Sequence, residues 1–201
     1  MEYIELSKER LEEVDKKLFN IIKEQYEYDC VIFIAKGSFY IGKDIANFNN
    51  VPLLEIFATR KGNKLKNIIR PIIKIIPKSI KKKLREKEIN SNFHNTNNER
   101  QVSFNDKQWK KCLKSKNILL VDDSVDTGNT ITSVKKYINE YFPKANLKIT
   151  ALNVMSKSIE NCTIDYYLFK DTMLNGPWSN DSKYYNQFID DYNKWHENNI
   201  L

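Results

Sequence analysis

Glycine and proline are scarce, with five of each in 201 residues. The glycines, Gly37, Gly42, Gly62, Gly128 and Gly176, nowhere form GxxxxGK[ST] or GxGxxG, which excludes the Walker-type and dinucleotide-type phosphate cradles. The cysteines are few and distant: Cys30, Cys112 and Cys162 offer no CxxC spacing for zinc or a redox pair. Three unpaired thiols imply an intracellular protein with its cysteines reduced. No run approaches the roughly 18 apolar residues a membrane span requires, and the N-terminus has no apolar signal core. Secretion and membrane spanning are therefore not expected.

What is present is an ordinary soluble balance, 41% hydrophobic and 29% charged, which argues against disorder over most of the chain. The length suits one domain covering 1–201, elaborated by an insertion or mobile cover at 61–105. The net charge of +7 is unevenly spread. Arg60 to Lys87 holds twelve Lys or Arg against one acid, Glu86, a local +11, so the rest of the chain carries −4. The overall basicity belongs to one segment and says little about the body of the protein.

Hydrophobic periodicity gives the elements. Leu11, Val14, Leu18, Ile21 and Ile22 recur at spacings of three and four, predicting an amphipathic helix over about 6–27 that packs on a sheet. Cys30 to Ala35 is a continuous apolar run, as expected of a strand buried on both faces, and a helix over 39–48 follows. Further strands are predicted at 51–57, 117–122, 147–154 and 164–169, with the end of a helix at 109–113 and a helix over 130–141 closed by Pro143. Strands alternating with helices imply βαβ units: an α/β fold with a parallel twisted sheet flanked by helices. Ligands of such sheets bind at the carboxyl ends of the strands, where Lys36-Gly37 and Asp122-Asp123 both fall.

The stretch Ile118-Leu-Leu-Val-Asp-Asp-Ser-Val-Asp-Thr-Gly-Asn-Thr130 carries the chemistry. A glycine turn leading into a helix presents unpaired N–H groups and the positive end of the helix dipole, so Thr127, Gly128, Asn129 and Thr130 suit a phosphate. Carboxylates beside a phosphate must face something else, and sugar hydroxyls or a hard divalent cation fit Asp122 and Asp123. The pattern of an apolar strand, two acids, two spacers and acid-Thr-Gly-x-Thr resembles the phosphoribosyl-pyrophosphate motif of type I phosphoribosyltransferases. Ile34 to Phe39 looks like that family's pyrophosphate loop, and Val51 to Ile56 resembles the strand after it.

The resemblance implies a phosphoribosyltransferase that joins phosphoribosyl pyrophosphate to a nitrogen base with Mg²⁺. Asp122 and Asp123 would bind the ribose hydroxyls and the metal, Thr127 to Thr130 the 5-phosphate, and Lys36, Gly37 and Ser38 the pyrophosphate. Ser38 stands where many relatives have a second glycine. Lys36 would stabilise the leaving diphosphate, and Asp126 sits where purine-using members place an acid near the base for proton transfer. The segment Ile164 to Trp178 resembles the end of the xanthine and hypoxanthine-guanine members, a hood region over about 164–201. Trp178 either stacks on the purine there or packs the hood. A homodimer in the cytoplasm is expected, and nucleic acid is not an expected partner. Regulators of the same fold that bind nucleotides or phosphoribosyl pyrophosphate, with the basic segment contacting nucleic acid, and enzymes with orotate, another pyrimidine or an acceptor outside salvage are the alternatives.

Other features receive no chemistry. Tyr184, Tyr185, Phe188, Ile189, Tyr192 and Trp195 form an aromatic stripe at helical spacing that suits core or interface. His94 and His196 lack an accompanying nucleophile or metal spacing, and Glu55 sits at a strand end. Isoleucines interleaved with basic residues at 61–87 fit a peripheral contact with an anionic membrane surface, or a solvated cover, or a dimer contact.

Overall fold

The computed structural model describes residues 2–60, 100–104, 112 and 114–200. The basic segment 61–87, His94, and most of the helix end expected at 109–113 lie outside the described residues.

The elements run β1 (Glu2–Glu5), α1 (Lys8–Lys23), β2 (Cys30–Ile34), α2 (Phe39–Asn49), β3 (Leu53–Arg60), β4 (Arg100–Phe104), β5 (Asn117–Val125), α3 (Asn129–Tyr141), β6 (Asn146–Val154), α4 (Ser156–Ile159), β7 (Tyr166–Lys170), β8 (Thr172–Asn175) and α5 (Tyr185–Ile200). Six strands form the main sheet in the order β4-β3-β2-β5-β6-β7. All pair in parallel except β3 with β4, which is antiparallel. This is the expected α/β architecture, and β2 and β5 lie side by side at its centre, bringing their two C-terminal loops together.

β2 is buried at every position, as its unbroken apolar run requires when helices cover both faces. Val31, Phe33, Leu119, Val121 and Leu152 join α1, α2 and α5 in one core cluster. Ile32, Leu120, Ile149 and Ala151 join α3 on the other face. Each such side chain removed from water contributes roughly 1.5–3 kcal/mol, so the double-sided core fixes where the strand ends stand. Helix α1 starts where Ser7 Oγ accepts from the Arg10 amide, and it buries Leu11, Val14, Leu18 and Ile22 as their spacing predicts.

Three features depart from the sequence reading. Residues 100–104 belong to the sheet as β4 and not to the insertion. Their antiparallel pairing with β3 leaves the alternating pattern of an edge strand, exposed on one side. The hood is partly N-terminal, since β1 pairs in parallel with β8 in a separate two-stranded sheet. The third concerns the thiols: Cys30 and Cys112 are joined as a disulfide with Cα atoms 6.3 Å apart, and only Cys162 is free. The two lie 82 residues apart in sequence, and folding brings both into the core beside β5. The aromatic stripe at 184–195 lies on α5 and at its start, and, as its spacing predicts, its Phe188, Tyr192 and Trp195 pack on the core residue Phe39. Among the described residues no helix is long and apolar enough to cross a membrane.

Candidate active site

The loop after β5 forms a cavity lined by Asp122, Ser124, Val125, Asp126, Thr127, Gly128, Thr130 and Ile131, with Arg100 reaching in from β4. Gly128 caps α3 with φ +79 and brings no side-chain cap bond to the first-turn amides of this 13-residue helix. An acceptor of negative charge is what such an uncapped turn favours. The fit is tight: a Cβ built on Gly128 would lie 2.6 Å from Cys162 Sγ, so glycine is required both by the backbone and by its neighbour. Thr132 Oγ1 donates to the Gly128 carbonyl at 3.0 Å, and Asn161 Nδ2 donates to the Thr127 carbonyl at 3.5 Å, tying the loop from two sides.

Asp122 is buried and accepts the Asp123 amide at 3.0 Å. Burial first, and then the neighbouring Asp123 charge, push its carboxyl well above the usual carboxylate range. Two adjacent carboxylates, Asp122 buried and Asp123 half-buried, favour a cation between them. Hard oxygen donors of this kind fit a divalent metal such as Mg²⁺.

The loop after β2 packs against the same pair. A Cβ on Gly37 would meet Asp123 Oδ1 at 2.5 Å, so the two loops are in contact only because residue 37 has no side chain. The Ala35-Lys36 peptide is cis. Ser38, at the N-cap of α2, is fully buried, and its hydroxyl donates to the Ile34 carbonyl at 2.6 Å. Lys36 is exposed, and its ammonium sits over the Tyr192 ring, 5.0 Å from the centroid.

That ring belongs to a buried cluster which sequence reasoning left without a role. Glu55, with no exposed surface, accepts a short hydrogen bond from the Tyr192 hydroxyl and pairs with His196 Nε2 at 3.1 Å. Burial raises the Glu55 pKa, opposed by the Tyr192 hydrogen bond and by the attraction of His196 and Lys36. Burial and the Glu55 charge together push the Tyr192 hydroxyl far up. Glu55 therefore holds α5 to β3 beside the Lys36 loop. The sequence signal was an acid inside an otherwise apolar strand, Leu53-Leu-Glu-Ile-Phe57.

Residues 2–175 match the family described as the phosphoribosyl transferase domain. The chain belongs to that family. Its fold is similar to that of a purine phosphoribosyltransferase from Pyrococcus horikoshii, at 17% identity and a TM-score of 0.58, covering 89% of this chain and 95% of that one. A Helicobacter pylori xanthine-guanine-hypoxanthine phosphoribosyltransferase shares 13% identity with a TM-score of 0.61, over 92% of this chain and 99% of that one. A Neisseria gonorrhoeae protein with bound ppGpp shares 16% identity and a TM-score of 0.58, over 98% and 96%. No curated protein sequence matches the chain.

Within this phosphoribosyltransferase the structure gathers Asp122, Asp126, Thr127, Gly128 and Thr130 around one cavity. Asp123 lies against Gly37, and Asn129 opens α3. Trp178 is half-buried, packed on the core, with its ring folded against Gly176, where a Cβ would lie 2.5 Å from it. Arg100 and Ser124 line the cavity without having been singled out from the sequence. Arg100 sits on an edge strand that carries no motif, and Ser124 fills a spacer position.

Proposed function

We propose that this phosphoribosyltransferase transfers phosphoribosyl from phosphoribosyl pyrophosphate to a ring nitrogen of a 6-oxopurine, with Mg²⁺, releasing pyrophosphate. The carrying observation is the cavity at the end of β5, where a buried carboxylate, an exposed one and the uncapped first turn of α3 converge. The 5-phosphate would accept from the α3 amides and from Thr127 and Thr130, while Asp122 and Asp123 accept from the ribose hydroxyls. Mg²⁺ held by Asp122 and Asp123 would supply charge neutralisation for the diphosphate. The bond from ribose C1 to a pyrophosphate oxygen breaks with its electron pair on the oxygen, and a purine nitrogen lone pair forms the new bond. The ring proton of the purine then passes to Asp126, which stands exposed at the cavity edge. Lys36 would leave the Tyr192 face to meet the diphosphate, and Trp178 would offer its free face to the purine.

The purine acceptor is supported by the names of two structural neighbours and by the place of Asp126. The test is pyrophosphate release from phosphoribosyl pyrophosphate and Mg²⁺ with hypoxanthine, guanine, xanthine or orotate. The proposal expects turnover with a 6-oxopurine, and turnover with orotate alone would reject it. One neighbour's bound ppGpp favours a second reading, a nucleotide-binding regulator. Tight nucleotide binding without turnover on any base would select it. A cytoplasmic homodimer is part of the leading proposal, with sedimentation the check on assembly.

A further inference from the structure

The strand β5 does not end in the motif alone. The parallel register places Ser124 opposite Asn153 of β6. Asn153 is buried, and every polar atom of its amide is used. Its Oδ1 accepts from the Thr172 amide at 3.2 Å, while its Nδ2 donates to the Thr172 carbonyl at 2.8 Å and to Ser124 Oγ at 3.0 Å. The Thr172 N–H can only donate, so it fixes Oδ1 toward itself and turns Nδ2 toward Ser124. Ser124 Oγ must then accept from Asn153, and its one hydrogen is free to point elsewhere. It points to Asp126 Oδ1, at 3.5 Å.

A second tie secures the same junction. Asp171, at φ +53 between β7 and β8, accepts from the Ser156 amide at 2.8 Å and closely from its hydroxyl, and its own amide donates to the Val154 carbonyl at 2.9 Å. The start of β8 is thus laced to the end of β6, and through Ser124 to the acid. Two apolar residues at 124 and 153 would satisfy a sheet core without these bonds. The polar chain has a direction: it begins on the hood strand and ends on the exposed carboxylate. Its last link is long, as the hydrogen bonds of a catalytic group often are before substrate binds.

We propose that Ser124 and Asn153 are positioning residues that tie Asp126 to hood strand β8, so that the proton acceptor and the strand beside the acceptor base keep one geometry. The inference rests on the role given to Asp126 above. Arg100 from β4 and Asp122 from β5 share the Asp126 cavity, and neither changes in the variants used.

The test is a double-mutant cycle on the whole chain with phosphoribosyl pyrophosphate and hypoxanthine or guanine, repeated as calorimetric binding of the purine nucleoside monophosphate. Ser124→Ala should lower kcat about tenfold while KM for phosphoribosyl pyrophosphate changes less than about threefold, and Ser124→Thr should restore most of the rate. In an Asp126→Asn background, Ser124→Ala should cause no further loss of rate or nucleotide affinity. Asn153→Ala should reproduce the kcat loss where a melting curve shows it folded, and the Ser124 variants decide where it does not. A Ser124→Ala effect that multiplies fully onto Asp126→Asn, or no effect at all, overturns the inference while leaving the transferase reading intact. A wild-type protein with neither purine-dependent turnover nor nucleotide binding overturns both.

Discussion

The two loops that crown the centre of the sheet are built on opposite plans. The loop after β5 is local: its donors are the amides of its own helix, its acids lie within five residues, and its backbone bend comes from its own Gly128. The loop after β2 depends on distant partners. Gly37 rests on Asp123, and the Lys36 ammonium rests on Tyr192, which donates to Glu55 across 137 residues of sequence. A phosphate cradle can be made by one short segment because helix N-terminal amides arrive already aligned. A lysine ammonium on a flexible stem is not aligned by its own segment in that way, and here it lies on a ring supplied by α5.

Removing the local plan should have the largest effect. Gly128→Ala forces a Cβ into both an unfavourable φ and contact with Cys162 Sγ. Affinity for phosphoribosyl pyrophosphate should fall on the order of 100-fold by calorimetry, since a displacement near 1 Å in such a site has that consequence. Adding Cys162→Ala should recover part of the loss, as it clears the contact and leaves the φ strain. Next comes Gly37→Ala, whose Cβ would press on the flexible Asp123 carboxylate and not on backbone. A rise of about tenfold in KM for phosphoribosyl pyrophosphate is expected in steady-state kinetics. An effect of Gly37→Ala larger than that of Gly128→Ala would break the distinction between the loops.

How much of this was legible follows the same division. β2 and β5 announce themselves as apolar runs, and the motif from Asp122 to Thr130 stands in one piece, so the fold and the segment that lines the cavity could be read in order. Glu55, Tyr192 and His196 could not, because an acid on β3 gains meaning only when α5 folds over it. The Ser124–Asn153 contact depends on strand register, which no local pattern states. β1 and β8 are four residues each, and β4 lies among charged residues, so neither the hood sheet nor the β3–β4 pair gave a periodic signal. The Cys30–Cys112 bond likewise joins positions that only the fold makes neighbours.

The long-range plan makes two smaller predictions. Tyr192→Phe removes a donor from the buried Glu55 carboxylate and should lower unfolding stability by about 1–3 kcal/mol in urea. The smallest effect lies away from both loops. Asp15, buried between α1 and α2, has its pKa pushed well up, by burial first and then by Asp44. A carboxyl whose folded pKa is raised contributes stability below its unfolded pKa, and that stability is lost as pH rises through the folded value. Asp15→Asn should therefore raise Tm by roughly 2–4 °C at pH 8, and by less at pH 5, in differential scanning calorimetry.

The proposed function requires the segment from Asp122 to Thr130 to bind phosphoribosyl pyrophosphate through its two adjacent carboxylates and the first turn of α3. Calorimetric titration of phosphoribosyl pyrophosphate with Mg²⁺ into the wild-type protein and the Asp122→Asn, Asp123→Asn double variant tests it most directly. One saturable site is expected in the wild type and its loss in the double variant, with the fold intact by circular dichroism. Equal affinity in the two proteins would contradict it.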